Sequence, residues 1–185
     1  MLNNTHSNFS PINTLNGFTP TIPAYSFDMD VFSHDSTERA AVEAFIKKGF
    51  FTAYQAKVNI SAPWLLAIKK GTFKAALGIR SASTETLFIE QYLSSPIECV
   101  LNEYQSQAAR NEIAEICHLF SSSKKLTLPL LMTAAVSLYC RHYKYMVFAG
   151  TEHVLNLIKR TGVVMTHLAP AKQDKLIGNF NCVGA

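Results

Sequence analysis

Ile113-Ala114-Glu115-Ile116-Cys117-His118-Leu119-Phe120 runs into Ser121-Ser122-Ser123-Lys124-Lys125 and then into the apolar stretch that begins at Leu126. The first eight residues are a largely apolar run of strand length, which predicts a buried strand. The serine-lysine stretch reads as a loop, and about Leu128 to His142 as a long helix with Pro129 near its first turn, where a missing N–H is tolerated. Tyr145 to Ala149 is a second short strand. A strand, a crossover helix and a second strand of one sheet run parallel. This stretch therefore predicts a parallel pair, and with it an α/β fold.

Upstream, Trp64 to Lys69 and Thr72 to Arg80 are β-rich runs separated by Lys70-Gly71, the pattern of an antiparallel hairpin. Ser36 is placed to cap a helix whose Ala40, Ala41, Ala44, Phe45 and Lys48 lie three and four apart. Gly49 is one end for it, and a turn or more beyond, through Tyr54, is another. Leu87 to Leu93 is apolar around Glu90 and Gln91, and Ser95-Pro96-Ile97-Glu98 opens a short helix. Downstream, Glu152 to Thr161 is a helix stopped by Gly162. Val163 to Leu168 reads as a last strand and residues 171–176 as a helix of one turn. The sum is a mixed sheet with helices on both faces. Residues 1–35, rich in Asn, Ser, Thr and Pro with scattered Phe9, Phe18, Tyr25 and Phe27, read as an extended or disordered arm. Residues 36–185 read as a single domain.

With 185 residues, 48% apolar and 16% charged, the chain can bury a real core, which excludes global disorder, coiled coil and collagen-like structure. Its net charge of +4 is uneven: residues 1–35 carry −3, and residues 121–175 carry eight basic and two acidic side chains. That predicts an anionic partner near the C-terminal third, with nothing that points to nucleic acid. Cys99, Cys117, Cys140 and Cys182 form no CxxC, and with His6, His34, His142, His153 and His167 they show no metal-ligand spacing. Reduced thiols in the cytoplasm and no metal are expected. Leu126 to Cys140, the most apolar stretch, is shorter than the roughly 18–20 residues that span a bilayer. No signal-peptide pattern opens the chain, so no transmembrane segment is expected.

The order of elements matches the GNAT acyltransferase fold, and the local sequence resembles one branch of it. Gly78-Ile79-Arg80-Ser81-Ala82, Leu87-Phe88-Ile89-Glu90-Gln91-Tyr92-Leu93 and Pro96-Ile97-Glu98 look like the signature of the thermostable hemolysin family. So do Arg110, Ile113 to Leu119, and Val147-Phe148-Ala149 through Asn156, Gly162 and Leu168-Ala169. That resemblance implies a GNAT-like mixed central sheet flanked by helices, similar to that of acyl-homoserine-lactone synthases. In those enzymes an arginine on the strand before the irregular loop and a glutamate on the central strand are functional, and Arg80 and Glu115 occupy the matching positions. Two departures stand out: Cys117-His118 where the family pattern usually has Gly-Asn, and a phosphate loop without glycine.

The resemblance implies an acyltransferase that moves an acyl group from acyl-CoA or an acyl carrier protein, through its acyl-phosphopantetheine, to a small amine. Two other functions stay open: a membrane-active haemolysin, and a non-catalytic ligand-binding or interaction module on the same fold. Ser121, Ser122, Ser123, Lys124 and Lys125, with Leu119 and Phe120 leading into them, are the residues for the donor. A strand end followed by a helix N-terminus collects phosphates, although a plain solvated loop has the same composition. Glu115 is either a general base raised by desolvation or one half of an ion pair with Arg80 or Arg110. Glu90 and Tyr92 join Arg80 and Glu115 as catalytic candidates, with a buried Glu90–Arg80 pair as the structural alternative. Arg110 and His118 are the candidates for the substrate side, Arg110 being otherwise a surface charge at a strand edge. Adjacent strand residues point to opposite faces, so Cys117 and His118 are not expected to act as a dyad.

Overall fold

The computed structural model describes residues 27–104 and 107–172. Five strands form one sheet in the order β1 (Asp28–Phe32), β2 (Trp64–Lys70), β3 (Thr72–Ser81), β4 (Ile113–Ser121) and β5 (Tyr145–Phe148). Strands β1 to β4 pair antiparallel, and the expected hairpin turns at Gly71, whose φ of 67° a side chain would resist. Strands β4 and β5 are parallel, joined by the crossover helix α3. Helices α1 (Arg39–Tyr54) and α2 (Ile97–Tyr104) cover one face, and α3 (Lys124–Tyr139) and α4 (Glu152–Lys159) the other. Alternation along the strands feeds both layers: Leu66 and Ile68 pack beneath α3, and Leu65 and Ala67 beneath α1.

Order starts earlier than the composition implies. Residues 28–32 of the expected arm form edge strand β1, in which Met29 and Val31 alternate with Asp28 and Asp30 and Phe32 is buried beside Val42 and Ile46. Residues 1–26 lie outside the described residues, as do residues 173–176 of the expected one-turn helix. Ser36 caps no helix. Its Oγ accepts the Ser33 N–H at 2.9 Å in a turn, and α1 opens three residues later. Helix α3 starts at Lys124, before the expected Leu128, because the apolar stripe that seals the sheet already begins at Leu126.

Val163 to Leu168 is not a strand. The two side chains that reach the core, Met165 and Leu168, enter different apolar clusters, while Val163 and Val164 face solvent. β-branched residues favour a strand only where a neighbour completes the ladder, and this segment forms none among the described residues.

Gly49 does not end α1, which runs on to Tyr54. The Phe120 ring occupies the space a Cβ at Gly49 would need, 2.3 Å from its nearest atoms, and is itself wedged against Phe45 and Phe50. Gly→Ala inside a helix ordinarily stabilises by about 1 kcal/mol. Here Gly49→Ala is expected to destabilise by about 1–3 kcal/mol through overpacking. Thermal unfolding decides the sign, and a higher Tm would mean that Phe120 simply moves aside.

Candidate functional site

Strand β4 sends Ala114 and Ile116 toward α3 and turns Ile113, Glu115 and Cys117 to the other face. There Glu115 stands directly across from Arg80 of β3. Its carboxylate is sealed, with the residue 1% exposed, and both oxygens are engaged. Oε2 accepts the Phe88 N–H and Oε1 the Ile89 N–H, each at 2.9 Å, so Glu115 pins the 3-10 turn Phe88–Tyr92 to the sheet. Arg80 Nε lies 3.9 Å away. Burial pushes the Glu115 carboxyl above its ordinary range, against the pull of the two N–H groups and Arg80.

Arg80 is itself buried. One guanidinium nitrogen donates to Ser61 Oγ at 2.7 Å, while Nε has no hydrogen-bond partner among the described residues and sits 3.4 Å from Glu85 Oε2. Glu90 pairs with Arg110, not with Arg80. Both Glu90 oxygens accept from the Arg110 guanidinium, at 2.8 and 3.2 Å, and also from the N–H groups of Ile97 and Leu87. Arg110 in turn is no surface charge. Its remaining donors reach Glu98 at 2.6 Å and the carbonyl oxygens of Ala82 and Glu85, so all five N–H bonds are taken. These contacts build one wall of an open cleft of about 650 Å³ between residues 82–86 and 93–98. Tyr92 lies nearby, edge-on to Phe88 at 5.9 Å.

His118 occupies a β-bulge. Ala76 pairs with Phe120 but Gly78 with Cys117, so β4 spends one residue more than β3, and His118 takes a φ of 52°. The bulge breaks the alternation that was expected to separate Cys117 from His118. A Cβ on Gly78 would lie 2.9 Å from Cys117 Sγ and 3.2 Å from His118 Cδ2, so both side chains border the same spot. They nevertheless form no activated pair. Burial, reinforced by Glu115, pushes the Cys117 thiol up to about 12, and burial with Arg80 lowers His118 to about 4. A protonated thiol beside a neutral imidazole is no nucleophile.

Between about pH 6.5 and 4 the unfolded chain takes up a proton that native His118 refuses, so this group's contribution to stability falls as the pH drops through that window. His118→Asn keeps a residue type that tolerates the left-handed backbone. It is expected to remove up to about 3 kcal/mol of acid sensitivity between pH 7 and pH 4. Urea unfolding at the two pH values measures it, and equal pH slopes for parent and variant would refute it.

The serine-lysine stretch is tighter than a loop. Strand β4 continues through Ser121, and only Ser122 and Ser123 separate it from α3. Ser121 Oγ donates to the Ser123 carbonyl at 2.6 Å, and both Oγ and N–H of Ser122 donate to the Lys74 carbonyl at 2.9 Å. The N–H groups of Lys124 and Lys125, in the first turn of α3, have no partner among the described residues. Leu119 and Phe120 pack into the apolar layers on opposite faces. Strand β5 pairs only with Ile113 to Ile116, so among the described residues Cys117 to Ser121 have no strand paired on that side.

Residues 32–181 match the family model described as thermostable hemolysin. The chain belongs to that family. Among solved structures, this thermostable hemolysin family member is similar to the AHL synthase LasI, with a TM-score of 0.59 and 12% identity over 78% of this chain and 82% of that one. It is also similar to a GCN5-related N-acetyltransferase from Ralstonia eutropha JMP134, at a TM-score of 0.43 and 10% identity over 80% and 99% of the two chains. An aminoglycoside acetyltransferase from an uncultured soil metagenomic sample gives 0.48 and 12% over 80% and 99%. The likeness to LasI is one of fold, and the fold is GNAT-like. No curated protein matches significantly.

The candidates thus fall into separate groups around the sheet. Arg80 and Glu115 meet, with Cys117 and His118 beside them on the same face. Glu90 and Arg110 form a second cluster, and the α3 N-terminus stands apart. Four participants carried no signal in the sequence: Ser61 and Glu85 at Arg80, and the backbone donors of Phe88 and Ile89 at Glu115. Among the described residues no group of His, Cys, Asp and Glu is arranged to hold a metal ion, and no helix is long and apolar enough to cross a membrane.

Proposed function

We propose that this family member transfers an acyl group from the thioester of acyl-CoA or an acyl carrier protein to a small amine. The observation that carries the reading is that β5 ends at Phe148, opposite Ile116, so that among the described residues β4 runs on with no strand on that side toward an α3 N-terminus whose Lys124 and Lys125 N–H groups have no partner there. Free N–H groups at a helix start, with two lysine side chains, suit the phosphate of a phosphopantetheine arm, and the unpaired edge of β4 suits its amides. In direct transfer the amine nitrogen attacks the thioester carbonyl carbon, the carbon–sulfur bond breaks, and the amine's proton ends on the thiol by way of a base. Glu115 and Glu90, with every oxygen occupied, act by positioning the Phe88–Tyr92 turn and Arg80. Glu85, partly exposed 3.4 Å from Arg80 Nε and without a side-chain hydrogen bond among the described residues, is the carboxylate left to receive that proton. The lytic reading has no comparable support, because Leu126, Leu130, Leu131 and Leu138 of the most apolar helix are buried against the sheet.

Thermal unfolding with CoA and with acyl-CoAs of increasing chain length tests the donor site. At a hundredfold excess over Kd, a rise in Tm of about 5–10 °C is expected. Thiol release on adding small amines then tests transfer. Stabilisation without release would mark a non-catalytic binder. No stabilisation by any acyl-CoA or acyl carrier protein would reject the reading.

A further inference from the structure

The C-terminal ends of α3 and α4 lie at one end of the sheet, where Leu138, Tyr143 and Ile158 close a single apolar cluster. Just outside it, large apolar side chains stand in water. Tyr139, the last residue of α3, is 78% exposed, and after α4 Val163 is exposed and Val164 93% exposed. Gly162, with φ of 82°, turns the chain after α4 so that Val163 and Val164 point outward before Met165 returns to the core. Arg141, just past the end of α3, and Lys159 and Arg160, at the end of α4, are exposed, and none forms an ion pair among the described residues. Lys144, nearby, is neutralised by Glu112 at 2.7 Å. Basic groups at helix C-termini complement the helix dipole, which accounts for Lys159 and Arg160. It does not account for two valines and a tyrosine left exposed among them.

We propose that this end of the molecule docks peripherally on an anionic phospholipid bilayer. The three unpaired cations match lipid phosphates, each contributing about 1 kcal/mol near such a surface. Val163, Val164 and the Tyr139 ring supply short apolar anchors for the boundary between headgroups and acyl chains, where an amphipathic ring also settles. An acidic protein would answer the charge but would leave Val164, projecting with almost no neighbours, without a pocket. The face lies a helix length from Lys124, about 24 Å at 1.5 Å per residue. The inference is therefore independent of the acyl-transfer reading, since a docked molecule keeps the α3 N-terminus free.

The test is co-sedimentation of the full chain with vesicles of phosphatidylcholine alone and of an equimolar phosphatidylcholine–phosphatidylglycerol mixture, with a dye trapped inside. Binding to the anionic vesicles only, reduced by high salt and without dye release, is the expected result. Arg160→Glu should weaken it about 30-fold, by removing one attraction and adding one repulsion. Val164→Asp should weaken it at least about tenfold through lost apolar burial. Both positions are exposed, so unchanged Tm values would separate docking from folding. Equal sedimentation with both lipids, variants that bind like the parent, or leakage of the dye would overturn the proposal. So would an absence of vesicle binding together with retention on polyglutamate beads, which would assign the face to an acidic protein.

Discussion

Arg110→Met is expected to lower the free energy of unfolding by about 3 kcal/mol or more, although Arg110 is not fully buried. The methionine keeps the packing volume of the arginine stem but none of its five donors. Two carbonyl oxygens, of Ala82 and Glu85, lose a partner, and Glu90 loses its counter-charge. Glu90 is the costly one, since its side chain is only 9% exposed and cannot rehydrate without opening the Leu87–Ile97 segment. Burial by itself raises the Glu90 carboxyl; Arg110 and the N–H groups of Ile97 and Leu87 outweigh that and hold it below the usual range. A depressed carboxyl contributes stability above its unfolded pKa and loses it as the pH falls through the native value. The parent should therefore lose this stability below about pH 4.5, and Arg110→Met should show a smaller loss. Glu90→Gln completes a double-mutant cycle in urea. Two single losses well in excess of the double variant's loss are expected. A cost under about 0.5 kcal/mol for Arg110→Met would instead leave the arginine free for a substrate.

The elements that could be read from sequence are those whose side chains dictate them locally. The apolar run Ile113 to Phe120, the helix after it and Tyr145 to Phe148 form a crossover whose handedness and direction leave little choice, and Lys70-Gly71 marks its own turn. Strand β1 carries little local signal, because Met29 and Val31 alternate with aspartates and Phe32 alone of its residues is buried. It exists because β2 offers an edge, a fact about Leu66 that Val31, its partner across the ladder, does not display. Val163 to Leu168 fails the opposite way: strong β propensity and no edge to join. The bulge at His118 depends on the register between two strands and on the bare Cα of Gly78, so no window of β4 alone reveals it. The same holds at the site. Arg80 and Glu115 were found as a pair through family resemblance, and antiparallel register places them opposite each other. Glu90 does have a satisfied structural partner, but it is Arg110 in place of Arg80, because ion-pair partners twenty residues apart are set by how a loop folds back. The donors that hold Glu115 are main-chain N–H groups, which every residue but proline possesses and which leave no mark in a sequence.

Glu115→Gln separates the two roles that the sequence left open for this carboxylate. Glutamine is nearly isosteric, so the packing around it stays intact. It presents one oxygen and one NH2 where the structure provides two N–H donors, from Phe88 and Ile89. Whichever way the amide is turned, one donor loses its acceptor and faces another donor in a site closed to water. Leaving such a group unsatisfied costs about 1–3 kcal/mol, and more where a charge was its partner. A loss of about 3 kcal/mol is therefore expected, with faster hydrogen exchange at the Phe88 and Ile89 amides as its local signature. The pH dependence adds a check of opposite sign to that of Glu90. A carboxyl raised by burial holds its proton in the native state after the unfolded chain has released it, so its contribution to stability declines as the pH climbs above 4.5. Glutamine abolishes that decline. Should Glu115→Gln instead keep full stability and unchanged amide exchange while losing acyl transfer, the carboxylate is a base that some motion uncovers. Loss of both together, with Glu85→Gln losing transfer alone, assigns the proton to Glu85 and leaves Glu115 to hold the turn in place.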